Sequence, residues 1–266
     1  MSADARPIGL FDSGLGGLTV VRALLDLVPE ARIVYFGDTG RFPYGPKPAA
    51  EVLKYSIEIA DVLMECDVKM IVIACNSASA AALDHVREHV PVPVSGVIEP
   101  GVRAAQRATT TGRVGVIGTV GTIASGAYQR AASALDRSLE LTCAACPGFV
   151  EFVEAGDVES DQVHVLAERL LAPVKRANVD TLVLGCTHYP LLARTIADVM
   201  GPDVVLVSSA EETAFEVRSR LDSRSSAPLP SERVRFLTSG DVATFRRLGT
   251  QFCGPEVEAV EAWSWT

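Results

Sequence analysis

No apolar run in the 266 residues approaches the ~20 needed for a membrane-spanning helix. The opening "MSADARP" lacks the basic-then-apolar layout of a secretory signal. Basic charge is in deficit: 24 Lys and Arg stand against 33 Asp and Glu, a net charge of −9. That balance argues against general affinity for nucleic acid or anionic lipid, which needs clustered cations. The local basic pairs Arg218/Arg220 and Arg246-Arg247 read as solvated helix faces. The expectation is a soluble cytoplasmic protein with no membrane partner and no direct nucleic-acid binding. Cysteine is sparse as well. Six in a chain this long do not make a disulfide scaffold, and a reducing compartment disfavours bridges. "CAAC" (Cys143, Cys146) has no second ligand pair, so it is a weak metal signal and reads as packing. Cys66 and Cys253 have no polar constellation around them and read as inert thiols.

What is present is globular: 48% hydrophobic and 21% charged residues, in a length that suits one large α/β domain or two ordinary ones. Short β-rich runs alternate with helical patterns, which predicts parallel sheets covered by helices. The predicted strands are "PIGLF", "RIVYFG", "MIVIA", "VPVSGV", "RVGVIG", "LELTCA", "TLVLG" and "VVLVS". Stretches such as "PAAEVLKYSIEIADVLMEC" and "DQVHVLAERLLAPVKRA" carry apolar residues at helical spacing. "SRSSAPLPSE" (223–232) reads as an exposed loop.

The two halves echo each other. "IGLFDSGLGGLTV" is answered by "VGVIGTVGTIASG", and "IVIACNSASAAAL" by "LVLGCTHYPLLAR". The reading is two similar α/β domains related by pseudo-duplication: residues 1–98 plus 210–266, carrying Cys75, and residues 99–209, carrying Cys186. The strand-then-helix pattern of "VRFLTSGDVATFRRLG" is expected to pack on the first of them.

Each cysteine sits at the C-terminal end of a predicted parallel strand, the edge where open α/β folds bind ligands. Each is followed by a helical pattern, with Thr187 as the expected cap of the second and Pro190 in its first turn. A thiol at a helix N-terminus is expected to ionise below its free value of ~8.5. Two matched thiols suit proton transfer at a carbon centre: one removes a proton from one face, and the other delivers one to the opposite face. Such an inversion needs neither metal nor pyridoxal, so no cofactor is expected. "FDSGLGGLTV" follows a strand and opens a helix, so its N–H groups can cradle an anion. No Lys follows it as in a phosphate-binding P-loop, and it lacks the dinucleotide glycine spacing. "GDTGRFPYGPK" is a second polar loop at a strand end, where the Tyr44-Gly45 backbone could touch a small ligand.

"FDSGLGGLTV", "YFGDTGRFPYG", "IACNSASA", "GVIGTVGT" and "LGCTHYPLL", in this order and spacing, closely resemble the glutamate racemases, members of the cofactor-independent aspartate/glutamate racemase superfamily. The resemblance covers nearly the whole chain. It implies two α/β domains with the active site in the cleft between them, and interconversion of L- and D-glutamate to supply peptidoglycan synthesis. It implies that Cys75 and Cys186 are the acid/base thiols, with Asp12 near Cys75, His188 serving Cys186, and Glu154 an accessory acid. It implies substrate contacts from Asp12, Ser13, Tyr44, Gly45, Asn76, Ser77, Thr187 and His188, with Thr119 and Thr122 as further candidates. It also implies a homodimer, and some members of this family bind DNA gyrase. Alternatives are a racemase of the same superfamily acting on aspartate or a hydantoin, and a regulatory binding protein. The sequence departs from the family pattern at Ser77, where Thr is usual, at Ser208, where Asp is common, and at Gly148 and Glu151.

Overall fold

The computed structural model describes residues 4–221 and 233–265; the predicted loop 223–232 lies outside the described residues. Two compact units divide the chain, one running up to Val97 and again from Thr213, the other from Ile98 to Glu212.

The first unit opens with β1 (Ile8–Asp12), α1 (Leu18–Leu27), β2 (Ile33–Gly37), α2 (Ala49–Glu65), β3 (Met70–Ile73), α3 (Asn76–His89) and β4 (Val94–Gly96). The second contains α4 (Ile98–Ala108), β5 (Arg113–Gly118), α5 (Val120–Ala124), α6 (Ala127–Leu135), β6 (Glu140–Ala145) and α7 (Phe149–Glu154). It continues with α8 (Asp161–Arg176), β7 (Thr181–Gly185), α9 (Ala193–Met200) and β8 (Val205–Ser208), and leaves through α10 (Ser209–Arg220). The chain then adds β9 (Val234–Thr238), α11 (Val242–Cys253) and β10 (Val260–Ala262).

All strand pairs are parallel. The first sheet has the order β10-β9-β2-β1-β3-β4, the second β6-β5-β7-β8. β1, β2, β3 and β7 are buried along their whole length, which explains their unbroken apolar runs: a parallel strand covered on both faces has no solvent side to alternate toward. β9 pairs with β2, so the strand–helix pattern after residue 233 extends the first sheet.

The topology gives the sequence echo a physical form. β1 lies between β2 and β3, and β5 lies in the same place between β6 and β7. The register aligns Phe11 with Ile73, and Gly118 with Gly185. Two residues past the first pair stand Ser13 and Cys75; one residue past the second stand Thr119 and Cys186. In each sheet a hydroxyl residue and a cysteine thus leave adjacent strands side by side at the C-terminal edge.

Among the described residues, no helix is long and apolar enough to cross a membrane.

Candidate active site

Cys75 occupies the N-cap position of α3, and its carbonyl accepts from the Ser79 amide at 2.8 Å. Its Sγ donates to Ser13 Oγ at 3.7 Å. Asp12 is fully buried at the start of the Gly-rich turn: its Oδ2 accepts from the Gly17 amide at 3.0 Å and the Gly14 amide at 3.3 Å. Its Oδ1 is also buried and has no hydrogen-bond partner among the described residues. A side chain at 17 would force the loop to shift, because a Cβ there would stand 2.7 Å from Asp12 Cβ and 2.9 Å from Ala74 Cβ. Tyr35 braces the same loop by donating its hydroxyl to the Gly14 carbonyl at 2.9 Å.

Placement at a helix N-terminus does not make Cys75 an acidic thiol. Burial pushes its ionisation far above the ordinary thiol range, and the Asp12 carboxylate pushes it further; the Ala78 amide and Ser13 offset this only in part. The expectation of a depressed value is therefore corrected. The dipole of one helix end is a modest term, and desolvation with a neighbouring negative charge outweighs it. Cys75 rests as a neutral thiol.

Asn76 and Ser77 form the first turn of α3 and are buried beside it. Tyr44 is buried in the same apolar cluster as Cys75, and its hydroxyl donates to the Asp38 carboxylate. That phenol is held neutral by burial and by the Asp38 charge. Gly45 follows it, also buried.

In the second unit, Cys186 directly follows Gly185. A Cβ at residue 185 would stand 2.6 Å from the Ile117 carbonyl oxygen, so the glycine lets β7 and β5 end in close contact. Cys186 Sγ lies 4.0 Å from His188 Nδ1. His188 Nε2 lies 2.7 Å from Glu154 Oε1, at the end of α7. The Cys186 carbonyl accepts from the Tyr189 amide at 3.1 Å. Thr119 caps α5, its Oγ1 accepting from the Thr122 amide at 3.3 Å and lying 3.0 Å from Thr122 Oγ1.

Thr187 is buried but is not a helix cap. The chain first makes a 3₁₀ turn, Tyr189–Leu192, with His188 at its N-cap position, and α9 starts only at Ala193. Pro190 sits in the first turn of that 3₁₀ segment, where its missing amide costs nothing.

The expected residues thus gather as Asp12, Ser13, Tyr44, Gly45, Cys75, Asn76 and Ser77 in the first unit. Thr119, Thr122, Glu154, Cys186, Thr187 and His188 belong to the second. Sequence reasoning missed Asp38, fully buried directly after β2. Its signal was its place: a polar residue just past a buried parallel strand, like Asp12. It also missed Tyr189, fully buried, whose hydroxyl donates to the Cys146 carbonyl at 3.0 Å. Burial raises Tyr189 well above the ordinary phenol range, the Cys186 charge adding to it. Cys146 is buried and its thiol is pushed up to about 12 by burial; half-buried Cys143 is pushed up to about 11. Among the described residues, no group of three or more His, Cys, Asp or Glu is placed to hold a metal ion.

The family described as Asp/Glu/Hydantoin racemase matches residues 18–216. The glutamate racemase of Parafrankia sp. (strain EAN1pec) is 53% identical over 257 residues, covering 96% of this chain and 93% of that one. The crystal structure of a glutamate racemase isoform from Bacillus anthracis superposes with a TM-score of 0.89 at 39% identity, over 98% of this chain and 97% of that one. The glutamate racemase of Francisella tularensis in complex with D-glutamate also gives 0.89, at 35% identity and 98% coverage of both chains. The chain belongs to the Asp/Glu/Hydantoin racemase family and, within it, to the glutamate racemases, which are isomerases.

Proposed function

We propose that the chain interconverts L- and D-glutamate by direct proton transfer at the α-carbon, with Cys75 and Cys186 as the two acid/base groups and no cofactor. The observation that carries this reading is the difference between two thiols at equivalent strand ends. One lies beside a buried carboxylate, the other beside a His–Glu pair.

Inversion requires opposite protonation states at the start: one thiolate to take the α-proton and one thiol to deliver a new proton to the other face. The environments supply that asymmetry. Asp12 and burial hold Cys75 protonated. With His188 Nε2–H donated to Glu154, Nδ1 is left as an acceptor toward Cys186 Sγ. The Cys186 proton can pass to that nitrogen, and Glu154 stabilises the resulting imidazolium. Proton abstraction by a positioned base contributes ~10²–10⁴-fold. The thiolate takes the α-proton, the carbanion accepts a proton from the opposite thiol, and the two sites exchange protonation states. In the reverse direction the roles swap.

The rest of the site serves charge. The carbanion is disfavoured by the adjacent carboxylate, so fixed donors must spread its charge. The amides and hydroxyls of Ser13, Asn76, Ser77, Thr119, Thr122, Thr187 and the Tyr44-Gly45 backbone are assigned to the substrate's carboxylates. Asp12 Oδ1, a buried acceptor with no protein partner among the described residues, suits the ammonium group. Glutamate as substrate is supported by the Francisella tularensis relative, whose structure holds D-glutamate. Supplying D-glutamate to peptidoglycan synthesis, in the cytoplasm, is part of the same reading.

The test is incubation of purified protein with L-glutamate in deuterated solvent, without pyridoxal or metal. Racemisation should occur with deuterium entering the α-position. Cys75→Ala and Cys186→Ala should each abolish it. Full activity in either variant would overturn the two-thiol mechanism, and activity on aspartate alone would overturn the choice of substrate.

A further inference from the structure

The Asp38 carboxylate accepts four hydrogen bonds, and nothing in the proton-transfer scheme uses it. It directly follows β2, and its amide donates to the Asp12 carbonyl at 3.0 Å. Four donors from three parts of the chain converge on its carboxylate. Oδ2 accepts from Arg41 Nε at 2.7 Å and from the Tyr44 hydroxyl; Oδ1 accepts from Ser239 Oγ at 2.6 Å and from Trp265 Nε1 at 3.3 Å. A carboxylate has about four lone-pair sites, so this one is fully occupied by the protein. It therefore serves the protein's architecture and has no site left for a ligand.

Arg41 is held on three sides. Its guanidinium carbon lies 4.0 Å from the ring centroid of Tyr55 and 3.8 Å from that of Trp265, and it also bonds to Glu58. Trp265 reaches this position because Trp263 donates its amide to the Thr238 carbonyl at 2.7 Å, which carries the chain past β10 along the end of β9. Phe36 packs against both indoles, with centroids 6.2 Å from Trp263 and 5.4 Å from Trp265. The loop is tied to β9 as well: Thr39 Oγ1 lies 2.7 Å from Thr238 Oγ1, and the Gly40 amide donates to Ser239 Oγ at 3.0 Å.

The loop so clamped is the one that carries Tyr44 and Gly45. The Tyr44 phenol is committed to Asp38, so a ligand contact at Tyr44-Gly45 comes from the backbone. The position of that backbone beside Cys75 is set by the phenol's anchor.

We propose that Asp38, Arg41 and Trp265 form a latch, and that residues 263–265, some 220 positions away in sequence, position the Tyr44-Gly45 backbone for substrate through it. Asp38 and Trp265 are positioning residues. Trp265 contributes through its stack on Arg41 more than through its long N–H bond, since cation–π contacts strengthen as they are desolvated. The inference rests on the racemase reading for its substrate, and on the geometry alone for the latch.

The experiment compares wild type with Trp265→Ala, Trp265→Phe and Asp38→Asn. Amide hydrogen exchange over residues 39–47 reads the latch, and steady-state racemisation reads its use. Trp265→Ala should raise exchange in that segment at least tenfold and raise KM for glutamate five- to twentyfold, with kcat within threefold of wild type. Trp265→Phe, which keeps a ring over Arg41, should restore both to within threefold. Asp38→Asn leaves two donors unmatched and should raise exchange more than Trp265→Ala does. Unchanged exchange in Trp265→Ala, or an unchanged KM, would overturn the proposal. A wild-type chain inert on glutamate would overturn the racemase reading instead, and the exchange measurement would still decide the latch.

Discussion

Glu154 Oε1 lies 2.7 Å from His188 Nε2, and the opposite nitrogen of the same ring lies 4.0 Å from Cys186 Sγ. The carboxylate selects the ring tautomer, and the tautomer decides whether the imidazole can take the thiol proton. Glu154→Gln keeps the size and can still accept from Nε2–H through its carbonyl oxygen, but it removes the negative charge that stabilises an imidazolium. The expected loss in kcat is about 10- to 100-fold, within the range of a general base. Because the two enantiomers are equal in energy, kcat/KM must fall equally in both directions. The asymmetry shows instead in the α-deuterium isotope effect, which should grow more in the direction where Cys186 takes the proton. Equal isotope effects in both directions would argue against this division of labour.

Most of the fold was legible because parallel strands buried on both faces leave unbroken apolar runs, as in "TLVLG", which is β7 residue for residue. The two thiols were legible from their places after such strands. What was not legible followed from terms that act across the fold. The upward shift of the Cys75 thiol comes from its own burial and then from the Asp12 charge, whereas local sequence shows only the helix end. The 3₁₀ turn after His188 was hidden because Pro190 is compatible with either kind of helical start. Asp38 was passed over because its partners at 41, 44, 239 and 265 meet only in three dimensions.

The two thiols should differ in reactivity before any substrate is present. Cys75 and Cys186 are similarly covered, at 5% and 7% exposure, so access does not separate them. Their neighbours do: Cys75 has the Asp12 charge against its thiolate, and Cys186 has an imidazole acceptor within reach. At pH 8, alkylation by iodoacetamide followed by mass spectrometry should modify Cys186 at least tenfold faster than Cys75. His188→Asn should narrow the difference. Faster modification of Cys75 would contradict the neutral state assigned to it.

Gly17 makes a steric prediction. A methyl group there would meet the Cβ atoms of Asp12 and Ala74, which are fixed to the backbone of β1 and of the Cys75 strand end. Neither can rotate away, so the loop or the start of α1 must shift. Gly17→Ala should lower stability by about 1–3 kcal/mol, the usual cost of overpacking. Activity should fall by more than the folded fraction does, because the amide that donates to Asp12 Oδ2 moves with the loop. Urea unfolding and racemisation on the same preparation would separate the two effects.

Alkaline stability follows from a buried thiol that the proton-transfer scheme does not use. Burial raises Cys253, at the end of α11, from 9.0 to about 12, with Glu256 adding to the shift. Above pH 9 the unfolded chain releases this proton while the folded chain keeps it. The unfolded state then binds fewer protons, and stability falls as pH rises. The contribution is fully present below pH 9 and is lost between about 9 and about 12. One such group changes stability by at most about 1.4 kcal/mol per pH unit in that window. Cys253→Ala should cost stability at pH 8 through the lost packing, yet show a shallower decline between pH 9 and 11. Urea midpoints at three pH values would measure both. A slope equal to that of wild type would mean that Cys253 ionises in the folded chain as freely as in the unfolded one.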